Sequence, residues 1–184
     1  MYILCFDGLF CQEGRHFDFG GEFGLMCYGW LIYKDQQVIA HGRGSYVHRD
    51  VASSSGAEYL ALIEGLEALA DLRLAKEPVL VVGDAKAVID QMQGVNEVNS
   101  VRIRRLYKKA RHLCQQIHTL YWLWVPRSQN KAADHLTRQA LRQVRHARAR
   151  IKSGWHEIKH SAGFHLISDL MVCQRPASQS SVLA

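Results

Sequence analysis

The spacing of apolar residues changes several times along the 184-residue chain, and each change marks an element. Tyr2 to Phe6 is a short apolar run that predicts a buried strand. Leu25 to Tyr33 and Val38 to His41 predict two strands of a hairpin turning at Lys34-Asp35-Gln36-Gln37, so the first three strands are expected to run antiparallel. After Ser53-Ser54-Ser55, the residues Leu62, Ile63, Leu66, Leu69 and Ala70 recur at helical spacing as far as Glu77-Pro78. Val79 to Val82 is unbroken and apolar, as a parallel strand covered on both faces would be, and ends at Gly83-Asp84. A helix is expected over 85–93, stopping at Gly94. A longer one follows from Val101 to about Ile117, with Ile103, Leu106, Ala110, Leu113 and Ile117 on one side. Thr119 to Val125 predicts a last strand, closed by Pro126. Ala133, Leu136, Ala140, Val144, Ala147 and Ile151 then keep helical spacing up to Gly154. Strands separated by helices pair in parallel, so the order predicts an α/β fold with a mixed five-stranded sheet flanked by helices.

The long stretch from Gly8 to Gly24 is expected to be a loop bordering the site. Trp30, Trp122 and Trp124 are expected to pack in the core and sheet. Trp155 to Val172 is a candidate small element, and Pro176 to Ala184 is expected to be disordered. The organisation expected is a domain over 1–141 with a basic extension over 142–184.

The formal charge of +6 is unevenly spread. Residues 142–184 hold seven Lys/Arg against Glu157 and Asp169, leaving sixteen basic and fifteen acidic residues elsewhere. Between Glu97 and Asp134, eight cations including Arg102, Arg104, Arg105, Lys108, Lys109, Arg111, Arg127 and Lys131 occur with no acid among them. Two basic stretches imply a polyanionic partner, most simply nucleic acid, with solvated helix faces as the plainer alternative. No apolar run is long enough to span a membrane, and Met1 leads into the first strand without a leader-like segment. Five cysteines with no CxxC fit a reducing setting. The expectation is a soluble, unprocessed, cytoplasmic protein.

Four acids stand at predicted element boundaries: Asp7, Glu58, Asp84 and Asp134. Asp7 and Asp84 follow strands, where sites form in parallel sheets; Glu58 and Asp134 lie in the first turns of helices expected to pack beside them. An all-carboxylate pocket suits Mg²⁺ or Mn²⁺, and two such ions can hold the attacking and leaving oxygens of a phosphodiester in line. Each acid also has a structural reading. Ser55-Gly56-Ala57-Glu58 is a capping box, Asp7 and Asp84 suit turns, and Asp134 complements a helix dipole. His156, His160, His165 and Cys173 match no zinc spacing.

With its surroundings, this set resembles the type 1 ribonuclease H family, in its reverse-transcriptase-like branch, over residues 1–141. The resemblance is carried by Phe6-Asp7-Gly8, Ala57-Glu58-Tyr59 with Ala61 to Leu66, Val82-Gly83-Asp84 leading to Val88-Ile89 and Gln91 to Gly94, and Val125-Pro126-Arg127, Asn130 and Ala132-Ala133-Asp134. It implies cleavage of the RNA strand of an RNA/DNA hybrid, leaving 5′-phosphate and 3′-hydroxyl ends. Two ions would be held with Asp7 bridging, Asp134 on the water side, and Glu58 and Asp84 on the leaving side. Substrate contacts are implied for Gly8, Ser54, Ser55, Lys86, Arg102, Arg105, Lys109, Arg127 and Asn130.

The chain departs from the family pattern after Asp7, where Leu9 to Gly14 replaces small polar residues. Serines stand where relatives place asparagines before Glu58. The loop before Asp134 carries Arg127 and no histidine. The altered loop after Asp7, the missing histidine and the extra residues after 141 motivate a second reading: a weak or inactive module binding nucleic acid or a protein, with the basic extension docking on substrate, a second copy or another protein. An exonuclease of the same superfamily would carry an acid where Leu9 stands.

Overall fold

The computed structural model describes residues 1–12, 24–48, 52–74 and 76–158, the last eleven by backbone alone. Three antiparallel strands come first: β1 (Tyr2–Gln12), β2 (Gly24–Lys34) and β3 (Gln37–His48). After α1 (Ser54–Asp71), β4 (Val79–Gly83) joins β1 in parallel. The helices α2 (Lys86–Gln93) and α3 (Val101–Cys114) lead to β5 (Leu120–Trp124), parallel to β4. A 3₁₀ turn, Arg127–Gln129, precedes α4 (Lys131–Ile158). The sheet order is β3-β2-β1-β4-β5, the mixed five-stranded arrangement expected. The chain divides into two units, Met1–Arg145 and His146–Ala184, and the first holds the whole sheet.

Local chemistry explains most boundaries. Asp35 and Gln36 both take positive φ (49° and 66°), the type I′ geometry whose twist matches a two-residue hairpin. Ser53 caps α1, its hydroxyl accepting from the Gly56 N–H at 3.0 Å. The expected capping box at Ser55 is therefore not the one used, and Glu58 is free for another partner. Gly94 closes α2 in the left-handed conformation (φ 79°). Gly154, where the pattern predicts an end, lies inside α4; one interior glycine costs only about 1 kcal/mol and does not stop a helix.

The largest correction concerns β1. The run expected to leave the sheet at Gly8 stays paired with β2 as far as Gln12, because Leu9 and Cys11 pack against Leu25, Cys27, Ala140 and Leu141. Residues 13–23 of the expected loop lie outside the described residues. So do the greater part of the Trp155–Val172 segment, His160, His165, Cys173 and the Pro176–Ala184 tail.

Period-two alternation sends Leu4 and Phe6 of β1 to one face, with Ile32, Val79 and Val81. There Tyr59, Leu62, Ile63, Leu66 and Leu69 of α1 and Ile103 and Ala110 of α3 complete the core. α4 covers the other face, with Ala133 and Leu136 over Leu31. The arginines and lysines of α3 remain exposed, as its pattern predicts. Trp122 is partly buried against the core, but Trp124, at the top of the edge strand, stays 43% exposed, contrary to expectation. No helix among the described residues is long and apolar enough to cross a membrane.

Candidate active site

The register places the acids. β4 ends at Gly83, opposite Phe6 of β1, so Asp84 leaves the sheet beside Asp7, which remains in a strand paired only with β2. Asp7 is thus mid-strand by its own element but at the carboxyl end of its parallel neighbour, where such sheets open into sites.

Glycines bring the other two acids in. A Cβ on Gly8 would lie 2.3 Å from the Ala57 carbonyl carbon and the Glu58 nitrogen, so α1 reaches the strand only because Gly8 has none. The Gly8 N–H then donates to Glu58 Oε2 at 3.0 Å. On the opposite face, a Cβ on Gly29, the β2 partner of Asp7, would meet Ala133 O, Leu136 Cβ and Thr137 N at 2.8 Å. α4 is therefore seated directly on the strand beside Asp7. Thr137, fully buried, fixes it there, its hydroxyl 3.0 Å from both the Asp7 and Ala133 carbonyls.

Asn130 ties the parts together. It is 2% exposed, and its amide donates to Phe6 O at 2.8 Å and to Asp84 Oδ1 at 2.7 Å. One side chain thus joins the strand residue before Asp7 to the carboxylate of Asp84. Its amide N–H groups are thus engaged inside the protein, while Oδ1 is buried without a hydrogen-bond partner. The Trp124 indole N–H donates to the Asp84 carbonyl at 3.0 Å. Asp134 accepts from two guanidinium groups, Arg127 Nη2 on Oδ1 and Arg138 Nε on Oδ2, each at 2.6 Å.

The electrostatics record the convergence. Burial pushes the Asp7 carboxyl up to about 6, the charges of Asp84 and Asp134 adding to the effect while Thr137 and Arg127 oppose it. Glu58 keeps some exposed surface, yet its carboxyl is enclosed and raised well above its ordinary value, by burial first and then by Asp7 and Asp84. Burial also pushes Asp134 up, but Arg138 and Arg127 outweigh it and the net shift is downward. All four acids thus feel one another directly or through a shared neighbour.

Hard carboxylate oxygens crowded against mutual repulsion suit a divalent cation, and Asp7 Oδ2 is buried without a hydrogen-bond partner. The donor chemistry therefore fits. The present rotamers do not close around an ion: among the described residues no group of three acid, imidazole or thiol side chains is close enough to share one. Glu58, Asp84 and Asp134 are each committed to a protein donor instead.

The reverse transcriptase-like family matches residues 27–140. The chain belongs to that branch of the type 1 ribonuclease H family. This ribonuclease H-like chain is 34% identical over 122 residues to ribonuclease HI of Halobacterium salinarum, a stretch covering 66% of the chain and 59% of that enzyme. It is 36% identical over 90 residues to the bifunctional protein Rv2228c of Mycobacterium tuberculosis, covering 49% of the chain but only 24% of that protein. The crystal structure of the Halobacterium ribonuclease H1 superposes with a TM-score of 0.64 at 31% identity, covering 77% of this chain and 98% of that one. The N-terminal ribonuclease H domain of Rv2228c gives 0.65 at 27% identity, over 79% and 96%. LC11-RNase H1, solved in complex with an RNA/DNA hybrid, shares the fold at 0.64 and 24% identity, over 78% and 99%.

The other sequence-predicted contacts lie on the surface. Ser54 and Ser55 are exposed in the first turn of α1, before Glu58. Lys86 pairs with Asp90 at 2.7 Å, and Lys109 pairs with Glu67 of α1 at 2.7 Å. Arg102 and Arg105 are exposed on α3. Sequence reading missed Gly29, Thr137 and Arg138. Their only signal is spacing: a glycine inside an apolar strand, and a threonine and an arginine three and four residues after Asp134.

Proposed function

We propose that the chain is a divalent-metal-dependent endoribonuclease that hydrolyses the RNA strand of an RNA/DNA hybrid. What supports this is the proximity of the acids around the carboxyl end of β4, close enough that Asp7 feels the charges of Asp84 and Asp134 and Glu58 those of Asp7 and Asp84, with Asp7 buried and raised to about 6. The family's nuclease relatives and the hybrid complex of LC11-RNase H1 support the substrate class.

In this reading the four carboxylates hold two ions, Mg²⁺ or Mn²⁺, which when bound supply the Lewis-acid charge that phosphodiester hydrolysis needs. The chain's own residues prepare the site. The Gly8 N–H orients Glu58, Asn130 orients Asp84, and Thr137 ties α4 to the Asp7 carbonyl about one turn after Asp134. Ser54 and Ser55 offer hydroxyls to the sugar edge of the hybrid, while Lys86, Arg102, Arg105 and Lys109 offer cations to its phosphates. Water is the attacking group, so no protein nucleophile is required.

Incubating a labelled RNA/DNA hybrid with each metal, beside RNA/RNA and DNA/DNA duplexes, tests the reading. The expected result is cleavage of the hybrid's RNA strand alone, lost in Asp7→Asn.

One observation favours a second reading, a binding module with little turnover: both carboxylate oxygens of Asp134 are taken up by arginines. That reading expects salt-sensitive binding without metal-dependent cleavage.

A further inference from the structure

Arg127 occupies an unusual position for a cation in a metal-binding site. It lies on the short turn between β5 and α4, 59% exposed, and pairs with Asp134 Oδ1 at 2.6 Å. Its charge is also felt by Asp7, Glu58 and Asp84. Its charge thus acts on all four acids. Arg138, the other partner of Asp134, is four residues along the same helix and pairs as a helical neighbour does.

Two demands conflict at this place. The acids need counter-charge while no ion is bound, and Arg127 supplies part of it. An ion would need the oxygens of Asp134, and Arg127 occupies one of them while Arg138 occupies the other. A guanidinium half in solvent can leave, and the group best suited to draw it off is a phosphate, which offers the same bidentate geometry as a carboxylate.

We propose that Arg127 is a positioning residue that makes metal binding and substrate binding cooperative. It offsets part of the charge of the four acids and occupies Asp134 Oδ1, then transfers its guanidinium to a backbone phosphate of the incoming hybrid and releases that oxygen to the cation. The inference rests on the function proposed above. Reciprocity follows from linkage: the phosphate raises cation affinity by the same factor by which the cation raises duplex affinity.

The test is Mn²⁺ binding to the full chain, followed as loss of the free-ion signal in electron paramagnetic resonance. It is made with and without a short DNA strand paired to uncleavable 2′-fluoro RNA, for wild type, Arg127→Gln and Asp7→Asn. An ion pair of this exposure is worth at most about a fivefold change in affinity. Arg127→Gln without duplex is expected to bind Mn²⁺ about threefold to fivefold more tightly than wild type. The duplex is expected to tighten wild-type binding but to add less in the variant. Equal Mn²⁺ affinity in wild type and Arg127→Gln, with the same gain from duplex, would overturn the proposal while leaving the metal site intact. If Asp7→Asn binds Mn²⁺ as wild type does, the four acids are not the ion site, and the proposed function fails together with this inference. Thermal melting of each variant checks that the exposed turn tolerates the change.

Discussion

Replacing Asp7 with asparagine should make the protein more stable at neutral pH as well as inactive, and the size of the gain follows from burial. Asp7 is 2% exposed and its carboxyl is raised from 3.8 to about 6. A raised acid binds its proton more tightly folded than unfolded, so its contribution is fully present below pH 3.8 and is lost as pH rises through 6. A shift of this size corresponds to about 3 kcal/mol of destabilisation at pH 7.5 and about 0.5 kcal/mol at pH 4. Asparagine removes that pH-dependent cost. It adds a constant one of about 1–2 kcal/mol, because an amide placed where Oδ2 has no partner is itself unsatisfied. The net gain at pH 7.5 is about 1–2 kcal/mol, or roughly 2–8 °C in Tm for a domain of this size. At pH 4 the variant should be no more stable than wild type. Urea unfolding of both proteins at the two pH values, without divalent ions, measures this. The decisive quantity is the change in the difference between them, about 2–2.5 kcal/mol. A difference that stays constant from pH 4 to 7.5 would refute the placement of a buried, repelled carboxylate at this position. Mg²⁺ should raise the Tm of wild type and leave that of Asp7→Asn unchanged.

Other substitutions probe how the acids are positioned. Gly8→Ala forces a methyl group against the α1 backbone at 2.3 Å; the expected cost is about 1–3 kcal/mol by urea unfolding, with activity falling further than stability because Glu58 moves. Asn130→Ala breaks the bonds to Phe6 O and Asp84 Oδ1, one of them to a charged group. It should lose about 2–3 kcal/mol and most of the cleavage rate, and a rate equal to wild type would remove its positioning role. Thr137→Val keeps the shape and deletes the hydroxyl that reaches the Asp7 carbonyl; about 1 kcal/mol of stability and a several-fold fall in kcat are expected, read by unfolding and steady-state kinetics.

The sheet was legible wherever one residue's neighbours decide its state. The hairpin turn, the Gly94 cap and the apolar stripe of α3 are local facts, and the pattern predicts them. The continuation of β1 past Asp7 is not local. Gly8 to Gln12 looks like a loop because the residues that hold it, Leu25, Cys27, Ala140 and Leu141, arrive from β2 and α4. The site divides in the same way. The four acids stand out by residue type and interval. The aiming roles are not legible in sequence, where Asn130 stands out only as a substrate contact and Thr137 not at all, because Asn130 meets Phe6 and Thr137 meets Asp7 across separations of 124 and 130 residues. Glu58 illustrates the ambiguity best. Its local spacing fits a capping box, and only the approach permitted by Gly8 gives it a different partner.

The central claim is that all four carboxylates serve one phosphodiester-cleaving site. Cleavage of a 5′-labelled RNA strand in a hybrid, with Mg²⁺ and with Mn²⁺, measured for Asp7→Asn, Glu58→Gln, Asp84→Asn and Asp134→Asn, tests it most directly. Asp71→Asn, at the far end of α1, serves as the control. Because such ion sites supply several kcal/mol of transition-state stabilisation, each of the four variants should lose at least about a hundredfold in rate while the control keeps it. Wild-type rates in any one of the four, with either metal, would contradict the account.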